Sequence, residues 1–86
     1  MKITRQTVAD KIADYLNGKV SQAKLVDWSE CAMMDVNFEE VDTEILTDIV
    51  GRLGLAEVAE FGLRWRDCEE FLHRLGYRAM VKVSKP

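Results

Sequence analysis

The widest apolar face along the chain lies within residues 43–55, TEILTDIVGRLGL. At 3.6 residues per turn, five aliphatic side chains of this stretch fall on one side of a helix: Ile45, Leu46, Ile49, Val50 and Leu53. The pattern predicts a central helix over residues 43–53, against which the rest of the chain packs. Gly54 is expected to end this helix, with Leu55 folding back on Val50 in a Schellman contact.

The preceding segment, DVNFEEVD, contains two competing helix starts. Asn37 and Glu40 have the spacing of a capping box for a helix that starts at Phe38. Asp42 could instead cap a helix that starts at Thr43, and Val41 would then be its hydrophobic staple. A helix running straight through from Phe38 would turn Asp42 into the apolar face, where an unpaired carboxylate is costly. We therefore expect one turn before Asp42 and the main helix after it.

Two helices earlier in the chain share one opening pattern, a polar cap preceded by an apolar residue. Thr4 is expected to cap a helix over residues 5–17 that has a glycine C-cap, and Ser21 a second helix after a short link. A link this short favours an antiparallel hairpin. On the second helix, Cys31 and Met34 fall on the polar side. They are either exposed at the helix end or in contact with a further element, and the second alternative is favoured because methionine suits irregular gaps.

The last quarter of the chain combines a helix with an alternating segment. Residues 65–75 predict a helix that ends at Gly76, and its seam consists of Trp65, Cys68, Phe71, Leu72 and Leu75. From Tyr77 onward the apolar period changes from 3.6 to 2, which predicts a half-buried β-strand with a pairing edge formed by Arg78, Met80 and Lys82.

The partner of that strand is left open by the sequence. Its backbone could pair with residues 1–4, with residues near 59–63, or with the same strand of a second chain in a homodimer. Residues 56–61 fit a short helix or a partly extended segment equally well. The 86 residues therefore predict one mainly α domain over residues 1–86, an orthogonal or bundle-like array of four main helices with a short C-terminal β-strand.

The charge distribution adds a functional hypothesis. Residues 27–60 hold ten acidic side chains and one basic one, although the net charge of the chain is only −3. Both flanking regions are basic. Either the ends fold over the middle and the charges compensate within the monomer, or the middle offers an acidic surface to a basic protein partner. The residues predicted for that surface are Asp35, Glu39, Glu40, Asp42 and Glu44.

Candidate chemistry is sparse. The possible metal ligands are Cys31, Cys68 and His73, and on one helix Cys68 and His73 lie roughly 140° apart, so they cannot grip one ion together. Acidic neighbours such as Asp27 and Glu30 disfavour a reactive thiolate at Cys31. We expect neither a metal, nor a cofactor, nor enzymatic activity. The longest unbroken apolar run, four residues, is far too short for a bilayer span, which favours a cytoplasmic protein.

Nucleic-acid binding is the main alternative. The stretch TDIVGRLGLAEVAEFGLR resembles a helix-turn-helix, with residues 47–53 as first helix and 57–64 as recognition helix. Glu57 and Glu60 would then face the phosphates, which argues against it. The basic surface available for this alternative consists of Arg64, Arg66, Arg74 and Arg78.

The segment GLRWRDCEEFLHRLGYRAMVKV resembles a recurring segment of small uncharacterised bacterial proteins, in which a helix opens near Trp-x-Asp and closes on Leu-Gly-Tyr before a short strand. In size, helical content and acidic middle, the chain is also similar to small immunity proteins and antitoxins that block a basic toxin. The first likeness concerns caps and core, and the second is compositional. Together they imply a non-enzymatic interaction or regulatory module.

Overall fold

The computed structural model describes residues 2–35, 38–58 and 62–78. Within these residues the chain forms a short 3-10 turn and four α-helices: α1 (Arg5–Leu16), α2 (Gln22–Asp35), the 3-10 turn (Glu40–Asp42), α3 (Thr43–Leu53) and α4 (Trp65–Arg74). The prediction of a mainly α fold with four helices is confirmed. No helix in the described part is long and apolar enough to cross a membrane.

Helix α1 starts where its cap predicts and ends at Leu16, one residue before the predicted end. The Oγ1 of Thr4 accepts a hydrogen bond from the backbone N–H of Thr7 at 3.2 Å, and the Oγ1 of Thr7 accepts one from the N–H of Thr4 at 3.2 Å. This reciprocal pair satisfies two donors that the first turn of a helix would otherwise leave unpaired. Beyond the C-terminal end, Gly18 adopts φ of 75°, a left-handed conformation that suits glycine.

The N-terminal segment pairs with the segment before α3. Ile3 and Phe38 form an isolated parallel β-bridge, in which the N–H of Glu39 donates to the carbonyl of Ile3 at 2.9 Å. Both bridged side chains are buried. Residues 1–4 are one of the three predicted partners of the C-terminal strand, and in the structure Ile3 pairs with Phe38.

The predicted C-terminal strand is not supported by the part of it that the structure describes. Tyr77 and Arg78 belong to no strand, and the remaining strand positions, including Met80 and Lys82, lie outside the described residues. Helix α4 itself ends as expected, because Gly76 has φ of 91° and the N–H of Tyr77 reaches back to the carbonyl of Leu72 at 2.8 Å.

Helix α2 packs most extensively against α3 and also contacts α1. The Oγ of Ser21 accepts the N–H of Lys24 at 3.2 Å, which confirms the predicted cap. The expectation that Cys31 and Met34 touch a further element is wrong: Cys31 is exposed and the side chain of Met34 is 83% exposed. The side of α2 that packs on the core carries Leu25, Ser29 and Ala32, and the two residues project away from it.

Helix α3 is the centre of the core, and its observed bounds match the prediction. Four of its side chains are fully buried: Leu46, Ile49, Val50 and Leu53. They pack with buried residues of α1, α2 and α4 in one cluster. The seam of α4 contributes Cys68, Phe71 and Leu72, whereas Trp65 is 43% exposed because it opens the helix and has no preceding turn to pack beside.

The end of α3 differs from the predicted Schellman motif. Gly54 has a right-handed φ of −67°, and its N–H donates to the carbonyl of Val50 at 3.1 Å. The chain then continues through turns to Glu57, so that Leu55 is partly exposed. A side chain at Gly54 would place its Cβ 2.9 Å from the Oγ of Ser29 on α2. The glycine is therefore required by close helix approach and not by backbone conformation.

The chain beyond α3 is relevant to two predictions: a short helix over residues 56–61 and the recognition helix over residues 57–64. Residues 57, 58 and 62–64 are not helical, and residues 59–61 lie outside the described ranges. Ala56 is buried, and its carbonyl accepts a hydrogen bond from the Nε2 of Gln22 at 2.8 Å. The described positions thus form neither the short helix considered for residues 56–61 nor the recognition helix that the DNA-binding alternative needs.

Candidate interaction surface

Asp42 is the member of the predicted acidic surface whose role differs most from expectation. Its side chain makes no capping bond to α3. Instead, the Nη2 of Arg5, from the first turn of α1, donates to the Oδ1 of Asp42 at 2.8 Å, and the Asp42 side chain is only 11% exposed. The hydrogen bond from this guanidinium lowers the pKa of the Asp42 carboxyl, and the positive charge acts in the same direction. Asp42 is therefore engaged within the monomer.

A second ion pair links the acidic middle to the basic C-terminal region. The Nη1 of Arg74 on α4 lies 2.8 Å from the Oδ2 of Asp48 on α3. Both side chains are considerably exposed, so this pair contributes at most about 1 kcal/mol to stability. Among the described residues, each basic end of the chain therefore contributes an ion pair that compensates charge of the acidic middle within the monomer.

The acidic residues that remain near the 3-10 turn lie on both sides of an exposed valine along the chain. Glu40 and Glu44 are exposed and Glu39 is partly exposed, while the side chain of Val41 between them is 88% exposed. We call these four residues the acidic patch. The predicted staple role of Val41 is wrong, because the turn directs its side chain to solvent. Asp35 ends α2, and its side chain lies outside what the structure describes.

A prediction about pH follows from the Arg5–Asp42 pair. A carboxyl whose pKa is lowered by folding stabilises the protein above its unfolded value of about 3.9, and this contribution is lost as the pH falls through the folded-state pKa. Asp42→Asn is expected to unfold at lower urea concentration than the parent at pH 7, and the difference should shrink below about pH 4.

Urea midpoints measured at pH 7 and pH 3 check this expectation. Asp10→Asn is the matched control, because Asp10 is exposed on α1. A difference between Asp42→Asn and the parent that stays constant across this pH range would contradict the role assigned to the pair.

An apolar groove between α2 and α3 is the second surface feature of interest. It is a depression that is largely open to solvent, with a volume of about 440 Å³. Three large apolar side chains on its walls, those of Met33, Met34 and Leu55, are at least partly exposed. We call it the apolar groove, and the described residues that line it are Ser29, Glu30, Met33, Met34, Val50, Gly51, Gly54 and Leu55.

Sequence reasoning did not single out this groove. The available signal was the pair of glycines three residues apart at the end of α3, Gly51 within the helix and Gly54 directly after it, together with two consecutive methionines on α2. Glycines on one side of a helix leave a shallow surface, but whether another helix fills it depends on the tertiary arrangement. Here Ser29 closes on Gly54, whereas no atom approaches the position that a Cβ of Gly51 would occupy within 4 Å.

The four arginines of the nucleic-acid alternative do not share one function. Arg74 is paired with Asp48, and Arg64 precedes α4 at its N-cap, where its N–H donates to the Oδ2 of Asp67 at 3.0 Å. Arg66 and Arg78 line a cleft of about 500 Å³ along α4, together with Glu69, Glu70, His73 and Tyr77. The two glutamates place negative charge where a phosphate would have to bind.

The residues considered for chemistry lie apart on the surface or in the core. Cys31 on α2 and His73 on α4 are exposed, whereas Cys68 is fully buried. Burial raises the pKa of the Cys68 thiol to about 11, with a smaller contribution from Asp67. Across residues 2–35, 38–58 and 62–78, no three histidine, cysteine, aspartate or glutamate side chains converge as metal ligands would.

The functional assignment of this protein is based on its surface, because comparisons with known proteins found no match. No protein-family model, no curated protein and no solved structure matches the chain. The class of protein is therefore defined by the fold alone, a small mainly α-helical domain with an acidic patch and an apolar groove.

Proposed function

We propose that this protein is a non-enzymatic interaction module that binds a basic protein through the acidic patch. The observation that supports this most directly is the exposure of Val41 among Glu39, Glu40 and Glu44. Protein interfaces combine a desolvated apolar centre with a polar rim. Val41 is 88% exposed and lies within three residues of Glu39, Glu40 and Glu44 along the chain, so this segment has the same composition in miniature.

Charge governs how such a partner would be recruited. Asp42 and Asp48 are already paired with arginines of the same chain. The patch therefore acts through the side chains of Glu39, Glu40 and Glu44. A field of one sign accelerates the encounter with an oppositely charged protein and is screened by salt over roughly 10 Å at 0.1 M. Binding should therefore be fastest at low ionic strength.

The test is a double reversal, Glu40→Lys with Glu44→Lys, compared with Asp10→Lys and Glu69→Lys as a control of equal charge change at exposed positions. Each immobilised full-length variant captures proteins from a host lysate for quantitative mass spectrometry, and captured proteins are then purified for kinetics. For the true partner, the patch variant should lower the association rate at low salt about tenfold, while the control changes it less than about twofold.

The Val41 side chain is tested on the same purified partner. Val41→Ser should accelerate dissociation with little change in association, because an apolar contact acts after the encounter. If every captured protein binds the patch variant and the control equally well, the proposed function is wrong. Thermal unfolding of each variant shows whether a loss of binding reflects a loss of folding.

A further inference from the structure

The apolar groove lies where two helices end, and this gives it a negative electrostatic character. Met33 and Met34 belong to the last turn of α2, and Val50 and Gly51 belong to the last turn of α3. The aligned peptide dipoles of a helix give its C-terminus a partial negative charge. In α3 this charge is reduced, because the carbonyls of Val50, Arg52 and Leu53 accept hydrogen bonds from the backbone N–H groups of residues 54–56. Among the described residues that line the groove, the one charged side chain is Glu30. A basic group is therefore its ionic complement.

The acidic patch continues toward the groove along α3. Glu44 precedes Gly51 by seven residues, which places both on the same side of the helix about 10 Å apart. On the opposite wall, exposed Asp27 lies one turn before Glu30. The groove and the patch thus form one surface, apolar at one end and acidic along both margins.

The shape of the groove favours a helix over an extended peptide. Both walls are helices whose interior N–H and C=O groups are bonded within the helix, so a peptide strand would find no free edge to pair with. Gly51 leaves the floor open and allows a second backbone to approach closely. Methionine side chains adapt to varied apolar partners, and a volume of about 440 Å³ accommodates more than one side chain.

We infer that the apolar groove binds an amphipathic, basic helix of the partner protein. Its apolar side chains contact Met33, Met34 and Leu55, and a lysine or arginine beside them pairs with Glu30. This inference rests on the proposed function for the basic character of the partner, and it adds the secondary structure of the recognised segment. From Glu44 to Leu55 the surface measures roughly 16 Å, which corresponds to about three turns of a bound helix.

The probe is a synthetic amphipathic helix of leucine and lysine, about four turns long, titrated against full-length protein. A leucine and glutamate helix of the same pattern, and a leucine and lysine peptide of scrambled order, serve as peptide controls. Gly51→Leu fills the groove at a position with open space, and Gln6→Leu adds the same side chain at an exposed site on α1. NMR of methionine methyl groups, assigned by Met33→Leu and Met34→Leu, locates the binding site.

The expected result is that Gly51→Leu weakens binding of the leucine and lysine helix at least tenfold, while Gln6→Leu changes it less than twofold. Binding should shift the Met33 and Met34 methyl signals. Equal affinity of the glutamate helix or of the scrambled peptide overturns the inference, as does unchanged binding to Gly51→Leu. Suppose that Gly51→Leu binds the leucine and lysine helix normally, but the double reversal of Glu40 and Glu44 still slows association with the natural partner. The groove inference then fails and the proposed function stands.

Discussion

Replacing Leu46 by alanine is expected to destabilise the protein by about 2–5 kcal/mol. Leu46 is fully buried on α3, the helix that contributes most to the shared core. Truncation removes apolar contacts and leaves a cavity that the surrounding helices fill only in part. Domains of this size are stable by only about 5–15 kcal/mol, so the loss is a large share of the total.

Thermal and urea denaturation measure the change. A loss of 2 kcal/mol or more should lower the Tm by roughly 10 °C or more in a domain of this length. Val41→Ala is the matched control, because it also shortens an aliphatic side chain but at an exposed position, and its effect should stay within about 0.5 kcal/mol. Similar effects of the two substitutions would show that α3 does not anchor the core as described.

Gly54→Ala is expected to destabilise the protein by about 1–3 kcal/mol, even though alanine is the better helix former. The φ of Gly54, −67°, is open to any residue, so the backbone does not oppose the change. The obstacle is the Oγ of Ser29, 2.9 Å from the new Cβ. Ser29 is fully buried, and its hydroxyl donates to the carbonyl of Val26 at 2.8 Å, which limits its freedom to move away.

A double-mutant cycle isolates that contact. Ser29→Ala removes the obstructing oxygen, so Gly54→Ala should cost much less in its presence, with a coupling energy of about 1–2 kcal/mol. Gly51→Ala serves as the control on the same helix. Its Cβ meets nothing within 4 Å, and the substitution should stabilise the protein by about 0.5–1 kcal/mol. If Gly54→Ala is as stabilising as Gly51→Ala, then α2 and α3 do not approach each other at Gly54 as closely as described.

The sequence by itself determined the helices and most of their ends. Thr4 and Ser21 cap the first two helices, and the left-handed Gly18 and Gly76 follow the first and last, as their positions predict. The bounds of α3 also follow from the sequence. An apolar period of 3.6 marks the helix, and its start follows because a helix running through from Phe38 would place the carboxylate of Asp42 in the apolar face. These features depend on residues a few positions apart, so local physical chemistry is sufficient to predict them.

The tertiary structure decided what the surface presents. Asp42 is removed from the predicted acidic surface by Arg5, which lies 37 positions earlier, and the close contact of Gly54 comes from Ser29 on another helix. Val41 and Met34 are exposed because no described element covers them. Pairings between distant residues are set by how the helices pack and leave no periodic trace in the sequence. The acidic patch and the apolar groove are therefore products of packing, built on helices whose positions in the chain were already predictable.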